Sequence, residues 1–139
     1  MDMKIMKSEK RFCTCCMEEH EVKTVLVLEQ ATFKNVKVDY EAIYSYCDVA
    51  EELYMDEQQI QENDVRVKDA YRKEQGLLTS SEIYNIRSKY GISQRDFCIL
   101  LAWGGKPITR CEGHQVQDKA QDTILRKIDG DSEVFLSLL

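Results

Sequence analysis

The sequence has little of what breaks, spans or catalyses. It contains one proline, Pro107, and no low-complexity run. No window approaches the roughly 18–20 continuous apolar residues that a membrane span needs. The first ten residues, MDMKIMKSEK, hold no apolar core of the kind a secretory signal carries, so a cytoplasmic protein with no membrane association is expected. Six cysteines in that setting read as reduced thiols or metal ligands rather than disulfides. No catalytic constellation stands out. There is no second histidine near a cysteine and an aspartate, no glycine-rich phosphate loop, and no pair of carboxylates with a reason to be paired. An enzyme is therefore not expected, and a redox use of Cys13 and Cys16 is disfavoured because no strand is expected before Cys13.

A basic excess is missing too. The 139 residues carry a net charge of −6, with 43% hydrophobic and 32% charged residues, the composition of one or two ordinary small domains. The distribution says more than the sum. Residues 79–139 balance eight basic against eight acidic side chains, while residues 1–78 carry eleven against seventeen. The back half can approach phosphate. The acidic front half is repelled by it, and is either free for a protein partner, a basic one by charge, or simply well solvated.

The chain is organised around Thr79–Gly113. Thr79 and Glu82 are spaced as a capping box, which starts a helix with Ile83, Ile86 and Tyr90 on its apolar stripe. Gly91 ends it. Ser93 caps the next helix, with Asp96 in its first turn and Phe97, Leu100 and Leu101 on its core side. Gly104 and Gly105 break that helix, and Pro107 suits only the first turn of a third. A short helix then presents Lys106, Thr109 and Arg110 outward. This is the layout of a helix-turn-helix DNA reader, in which arginine can fork onto guanine O6 and N7. The plainer alternative is a three-helix bundle with a solvated basic face.

Toward the N-terminus, residues 1–12 read as a loose lead-in. Cys13 and Cys16 have the C-x-x-C spacing that lets two thiolates of one turn meet one tetrahedral ion. Half of a second such knuckle follows at Cys47, with Ala50 where another cysteine is needed. His20 can complete a Cys13, Cys16, His20, Cys47 zinc site; the alternative is no metal. Between the knuckle halves, residues 22–29 and 36–40 alternate as two strands, joined by a turn at Phe33–Val36. One hairpin is marginal in water, so a helix, a metal or a partner must cover it. A connecting helix is expected from Met55–Glu57 to about Lys73, with Ile60, Asn63 and Val67 near one face. Gly76 closes it.

Past the reader, His114 and Gln115 lie in a polar stretch that either touches phosphate or is a surface loop. Asp118 caps a helix with Ala120, Ile124, Leu125 and Ile128 on its apolar side. Asp131 or Ser132 starts the last helix. Its Val134, Phe135 and Leu138 or Leu139 either pad the bundle or form a dimer seam. A dimer would set two reading helices ~34 Å apart on a palindromic operator.

The stretch IRSKYGISQRDFCILLAWGGKPITRCEGHQVQDKAQDTILRKI resembles the C-terminal domain of the MqsA (YgiT-type) antitoxin family. The shared pattern is I-R-x-K-Y-G-I-S-Q, then L-L-x-W-G, T-R-x-E and a closing I-L-R-K-I. Cys111, where the family has tyrosine, and Pro107 depart from it. The resemblance implies an order of zinc ribbon, connecting helix and helix-turn-helix. It aligns Cys13, Cys16 and Cys47 with three of four zinc ligands, Ala50 replacing the fourth, and Lys106 and Arg110 with base-reading positions. It also implies dimerisation through the C-terminal domain.

The combined expectation is an α+β protein. Residues 1–75 would form a small β-ribbon, zinc-finger-like partner-binding domain with a connecting helix. Residues 76–139 would form an all-α helix-turn-helix domain of about five helices. The function expected is a type II toxin–antitoxin antitoxin that binds its toxin and represses its own operon, or else a helix-turn-helix regulator without a toxin. Candidate DNA contacts are Lys106, Thr109, Arg110, Ser93, Gln94, Arg95, His114 and Gln115.

Overall fold

Lys34 and Asn35 take φ of 49° and 65°. Two consecutive left-handed residues are what a two-residue type I′ hairpin turn requires. The turn joins Phe33 to Val36 in register and sets the hairpin around which the N-terminal sheet is built. The computed structural model describes residues 3–93, 96–97 and 116–137, with the backbone alone at 134, 135 and 137. They fall into two compact units, Met1–Ala70 and Tyr71–Leu139.

The first unit is a four-stranded antiparallel sheet in chain order: β1 (Met3–Cys13), β2 (Glu18–Phe33), β3 (Val36–Cys47) and β4 (Glu52–Tyr54). The expected loose lead-in is therefore a strand, paired with β2 from Met3 opposite Val27 to Cys13 opposite Glu18. Its sequence hid it for a physical reason. As an edge strand, β1 is exposed from Met3 to Lys10 on both faces, so it carries none of the apolar alternation that burial imposes. A bulge between Ile5 and Lys7 breaks its period further.

Helix α1 (Glu57–Glu74) guards the opposite edge. The Asn63 side chain accepts from the Ile43 amide at 2.7 Å and donates to the Ile43 carbonyl at 2.9 Å, replacing a ladder partner beyond the short β4. Arg66 Nη1 donates to the Glu41 carbonyl at 3.1 Å. Gln59 exchanges hydrogen bonds with the buried Ser45 hydroxyl. The expected face of this helix is thus corrected in part: Asn63 is buried as expected, joined by Gln59, whereas Ile60 is 56% exposed. The helix is recruited by backbone groups of a strand edge that need partners, and amides serve these better than methyl groups do.

In the second unit, α2 (Ser80–Tyr90) begins at a capping box. The Thr79 amide donates to Glu82 Oε1 at 3.1 Å, and Gly91 closes the helix at φ 65°. A further helical start follows at Asp96–Phe97, where Ser93 Oγ accepts from the Asp96 amide. After it come α3 (Lys119–Gly130), capped by Asp118, and α4 (Ser132–Ser137). Leu78, Ile83, Ile86, Phe97, Leu125 and Ile128 form the core. A polar knot seals one side. Asp122 accepts from the Leu78 amide, Gln117 and Arg126 at 2.8, 3.0 and 2.8 Å. Burial raises its pKa, but the Arg126 guanidinium and these donors outweigh that and hold it below the usual carboxylate value.

The protein is α+β, but the expected division into a minimal ribbon and a C-terminal domain of about five helices is corrected. The N-terminal unit holds a full four-stranded sheet, and the described residues of the second unit hold three helices, α2 to α4.

Removing the α1 clasp tests the edge cover. Asn63→Ala should lower stability by about 1–3 kcal/mol, because the Ile43 amide and carbonyl lose their partners. The readout is the urea midpoint of the sheet transition. A midpoint equal to that of the parent protein would show that the clasp carries no weight.

Candidate metal centre

Two turns bring four donors together. The first joins β1 to β2: the Met17 amide donates to the Cys13 carbonyl at 2.8 Å, and Met17 takes φ 61°. Cys13 ends β1, Cys16 lies in the turn, and His20 is the third residue of β2. The second turn follows β3, whose last residue is Cys47. The Cys13, Cys16 and Cys47 sulfurs and a ring nitrogen of His20 all lie within 4.8 Å of one another. Cys13 and Cys47 are fully buried, and Val22, Tyr54, Cys15 and Cys16 pack around them.

The donor set fits a metal ion. A tetrahedral zinc with bonds of about 2.3 Å to sulfur and about 2.0–2.1 Å to nitrogen puts ligand atoms roughly 3.5–3.8 Å apart. His20 Nε2 lies 3.6 Å from Cys47 Sγ. The other ring nitrogen, Nδ1, is 2.7 Å from the Glu21 carbonyl. A carbonyl only accepts, so Nδ1 carries a proton, and the Nε2 lone pair can serve an ion held among the sulfurs. Three thiolates and an imidazole form a closed set of the kind used structurally, with no side left for substrate.

The electrostatics point the same way. Burial pushes the Cys13 thiol up, but the Cys16 amide, the Tyr54 hydroxyl, His20 and the Cys15 amide together bring its pKa down to about 6. Cys13 is thus a ready thiolate at neutral pH. His20 is shifted up, first by its bond to Cys13. Burial raises Cys16, and its sulfur neighbours add to that. Tyr54 is pushed up to about 12 by burial and by the adjacent Cys13 sulfur. A divalent cation bound by these donors would displace the protons that remain on them.

All four expected ligands converge. Cys15, in the same turn, leaves the group and donates to Glu52 Oε2 at 3.5 Å; burial first and that carboxylate next raise it to about 11. Ala50 has no donor side chain, yet its amide donates to Cys47 Sγ at 3.4 Å. The backbone of the second knuckle therefore supports the sulfur even though its second cysteine is absent. The Glu21 carbonyl and the Ala50 amide are main-chain groups that no residue pattern marks. The C-x-x-C of Cys13 and Cys16 lies between two strands and not at a helix N-terminus, which removes the setting of a thioredoxin-like redox pair, although the reason expected, no strand before Cys13, is itself corrected.

Of the DNA-contact candidates, Ser93 is exposed and caps the start at Asp96–Phe97. Gln94, Arg95, Lys106, Thr109, Arg110, His114 and Gln115 lie outside the described residues. No protein-family model, curated protein or solved structure matches the chain.

Cobalt(II) added to chelator-treated protein should give the absorption of a tetrahedral thiolate site. Cys47→Ser and His20→Ala should each weaken that binding by at least about tenfold, the scale at which a lost ligand is felt, while Cys15→Ser leaves it unchanged. Affinity should fall as pH is lowered below neutrality, because Cys16 must lose a proton to bind and Cys13 regains one near pH 6. Equal cobalt affinity in the parent and the Cys47→Ser protein would remove the site.

Proposed function

We propose that this protein is an antitoxin that also represses transcription of its own operon. In this reading its C-terminal unit reads operator DNA as a homodimer, and its N-terminal unit holds a toxin around a structural zinc site of Cys13, Cys16, His20 and Cys47. The observation that carries the reading is the pairing of two dissimilar units in one short chain. One is a sheet closed by a thiolate–imidazole cluster. The other contains a capped helix, a left-handed glycine and a second capped helical start. The resemblance over residues 86–128 supports the reading.

Several features support DNA reading by the second unit. Gly91 at φ 65° turns the chain sharply, and only a residue without Cβ adopts that conformation at little cost. Phe97 is buried with Ile83 and Ile86, so the two helical segments share one core, as a helix-turn-helix needs. The proposed reading helix supplies Lys106, Thr109 and Arg110. The first unit supports partner binding through exposed apolar side chains on its first strands, Ile5, Met6, Phe12 and Leu28. Nothing in the four-ligand cluster offers an open coordination position for catalysis, which favours a structural role for the ion.

The test is a mobility shift on the DNA immediately upstream of the protein's own coding region. Arg110→Ala should weaken binding by about 1–3 kcal/mol and relax discrimination between operator variants. Unchanged affinity would reject the assigned reading helix. Operator binding with no neutralised toxin on co-expression of the adjacent open reading frame would favour the regulator without a toxin.

A further inference from the structure

We propose that the outer edge of β1 is a docking edge for an extended segment of a partner protein, one in which acidic and apolar residues alternate. The segment would add to the sheet as a fifth strand. The inference deepens the reading that the N-terminal unit holds a protein partner, and rests on it for the partner's existence.

The two edges of the sheet are treated differently. On the β3 side, Asn63 and Arg66 of α1 occupy backbone groups of Ile43 and Glu41 beyond β4. On the β1 side, no described strand, helix or side chain bonds the outward amides and carbonyls between Met3 and Phe12. β1 is 11 residues long, twice the usual strand, and such an edge is a template for strand addition.

Register sorts its side chains by face. Met3, Ile5, Ser8, Lys10 and Phe12 lie opposite Val27, Val25, Lys23, Glu21 and Glu19 on one face. Lys4, Lys7, Glu9 and Arg11 lie opposite Leu26, Thr24, Val22 and His20 on the other. The first face offers three apolar side chains, exposed by 40% at Met3, 58% at Ile5 and 53% at Phe12. The second offers Lys4 and Lys7 against one carboxylate, Glu9, while Arg11 turns inward and its Nη2 donates to the Ser45 hydroxyl of β3 at 2.7 Å. Lys7 and Arg11 reach Glu9 at 3.5 and 3.6 Å, and Lys4 and Lys10 make no ion pair with any described residue. A strand that satisfies both faces has apolar residues at one parity and acids at the other.

Other occupants fit less well. Two copies of β1 laid edge to edge would bring Lys4 and Lys7 toward their own kind, with Glu9 alone to offset them. A nucleic acid would meet the lysines but also Glu18, Glu19 and Glu21 on the adjacent strand, and would leave the apolar face without a role. The charge of the edge also revises the expected basic partner: the unit is acidic as a whole, but the strand open to pairing is basic.

The test uses full-length, metal-loaded protein and fluorescein-labelled peptides of about ten residues, the length of an added strand. One alternates glutamate with valine. A second has the same sequence with alternate amides N-methylated on the ladder side, and a third replaces glutamate by lysine. A single-stranded oligonucleotide is the fourth probe. Anisotropy should show the Glu/Val peptide binding, with affinity falling at least about tenfold on N-methylation, on the lysine swap, or in the Lys4→Glu/Lys7→Glu protein. Both substitutions are at exposed positions, and unchanged metal content checks the fold. Equal binding of the N-methylated peptide, no binding of the Glu/Val peptide, or preferential binding of the oligonucleotide would each overturn the inference. Operator shift and toxin neutralisation are read on the same preparations. If these hold and the peptide fails, only the docking edge falls; if the peptide binds and they fail, only the antitoxin reading falls.

Discussion

The convergence of Cys13, Cys16, His20 and Cys47 is the constraint on which the first unit depends. Two turns far apart in the chain must sit side by side for the four donors to meet. The register of the long β2–β3 hairpin achieves this, because a shift of one residue would send Cys47 to the other face of the sheet. The dependence runs both ways. A unit of this size buries a limited core, here chiefly Val22, Val25, Leu26, Val27, Val38 and Ala42. A closed ion site would add binding free energy directly to folding. Without an ion the four groups share protons unequally, Cys13 being shifted down and Cys16 and His20 up.

Around that centre the sheet deals with its edges asymmetrically. Its β3 side is closed by amide and guanidinium groups of α1, and its β1 side is left long, basic and apolar by turns. A bulge and several lysines discourage indiscriminate pairing at such an edge. They also write a code for what may pair. The second unit solves a different problem with local devices: a capping box at each of two helices, a left-handed glycine, and a buried Asp122 that ties Leu78, Gln117 and Arg126 together. The two halves of the chain are thus stabilised by unlike means, one by long-range convergence and the other by caps and a small apolar core.

Much of this was legible from residues alone where a local rule governs. Asn35 marked the hairpin turn, Thr79 with Glu82 marked the start of α2, Gly91 its end, and Asp118 the start of α3. The four metal-ligand candidates could be named because thiol and imidazole spacing is constrained by the ion. β1 could not be read, since most of it is exposed on both faces and the bulge between Ile5 and Lys7 interrupts the alternation of its side chains. The polar face of α1 misled in part: Asn63 was legible on the covered face, but Gln59, buried for its amide, was not, and the exposed Ile60 stood out in its place, because periodicity rules look for carbon. The support from the Ala50 amide was invisible because a main-chain donor tolerates almost any residue.

The most direct measurement is X-ray absorption at the zinc edge on protein purified without chelator. The account predicts one zinc per chain bound by three sulfurs at about 2.3 Å and one nitrogen at about 2.0–2.1 Å, with the nitrogen lost in His20→Ala. Protein that folds fully with no bound metal, or a zinc whose shell contains four sulfurs or lacks Cys47, would contradict it.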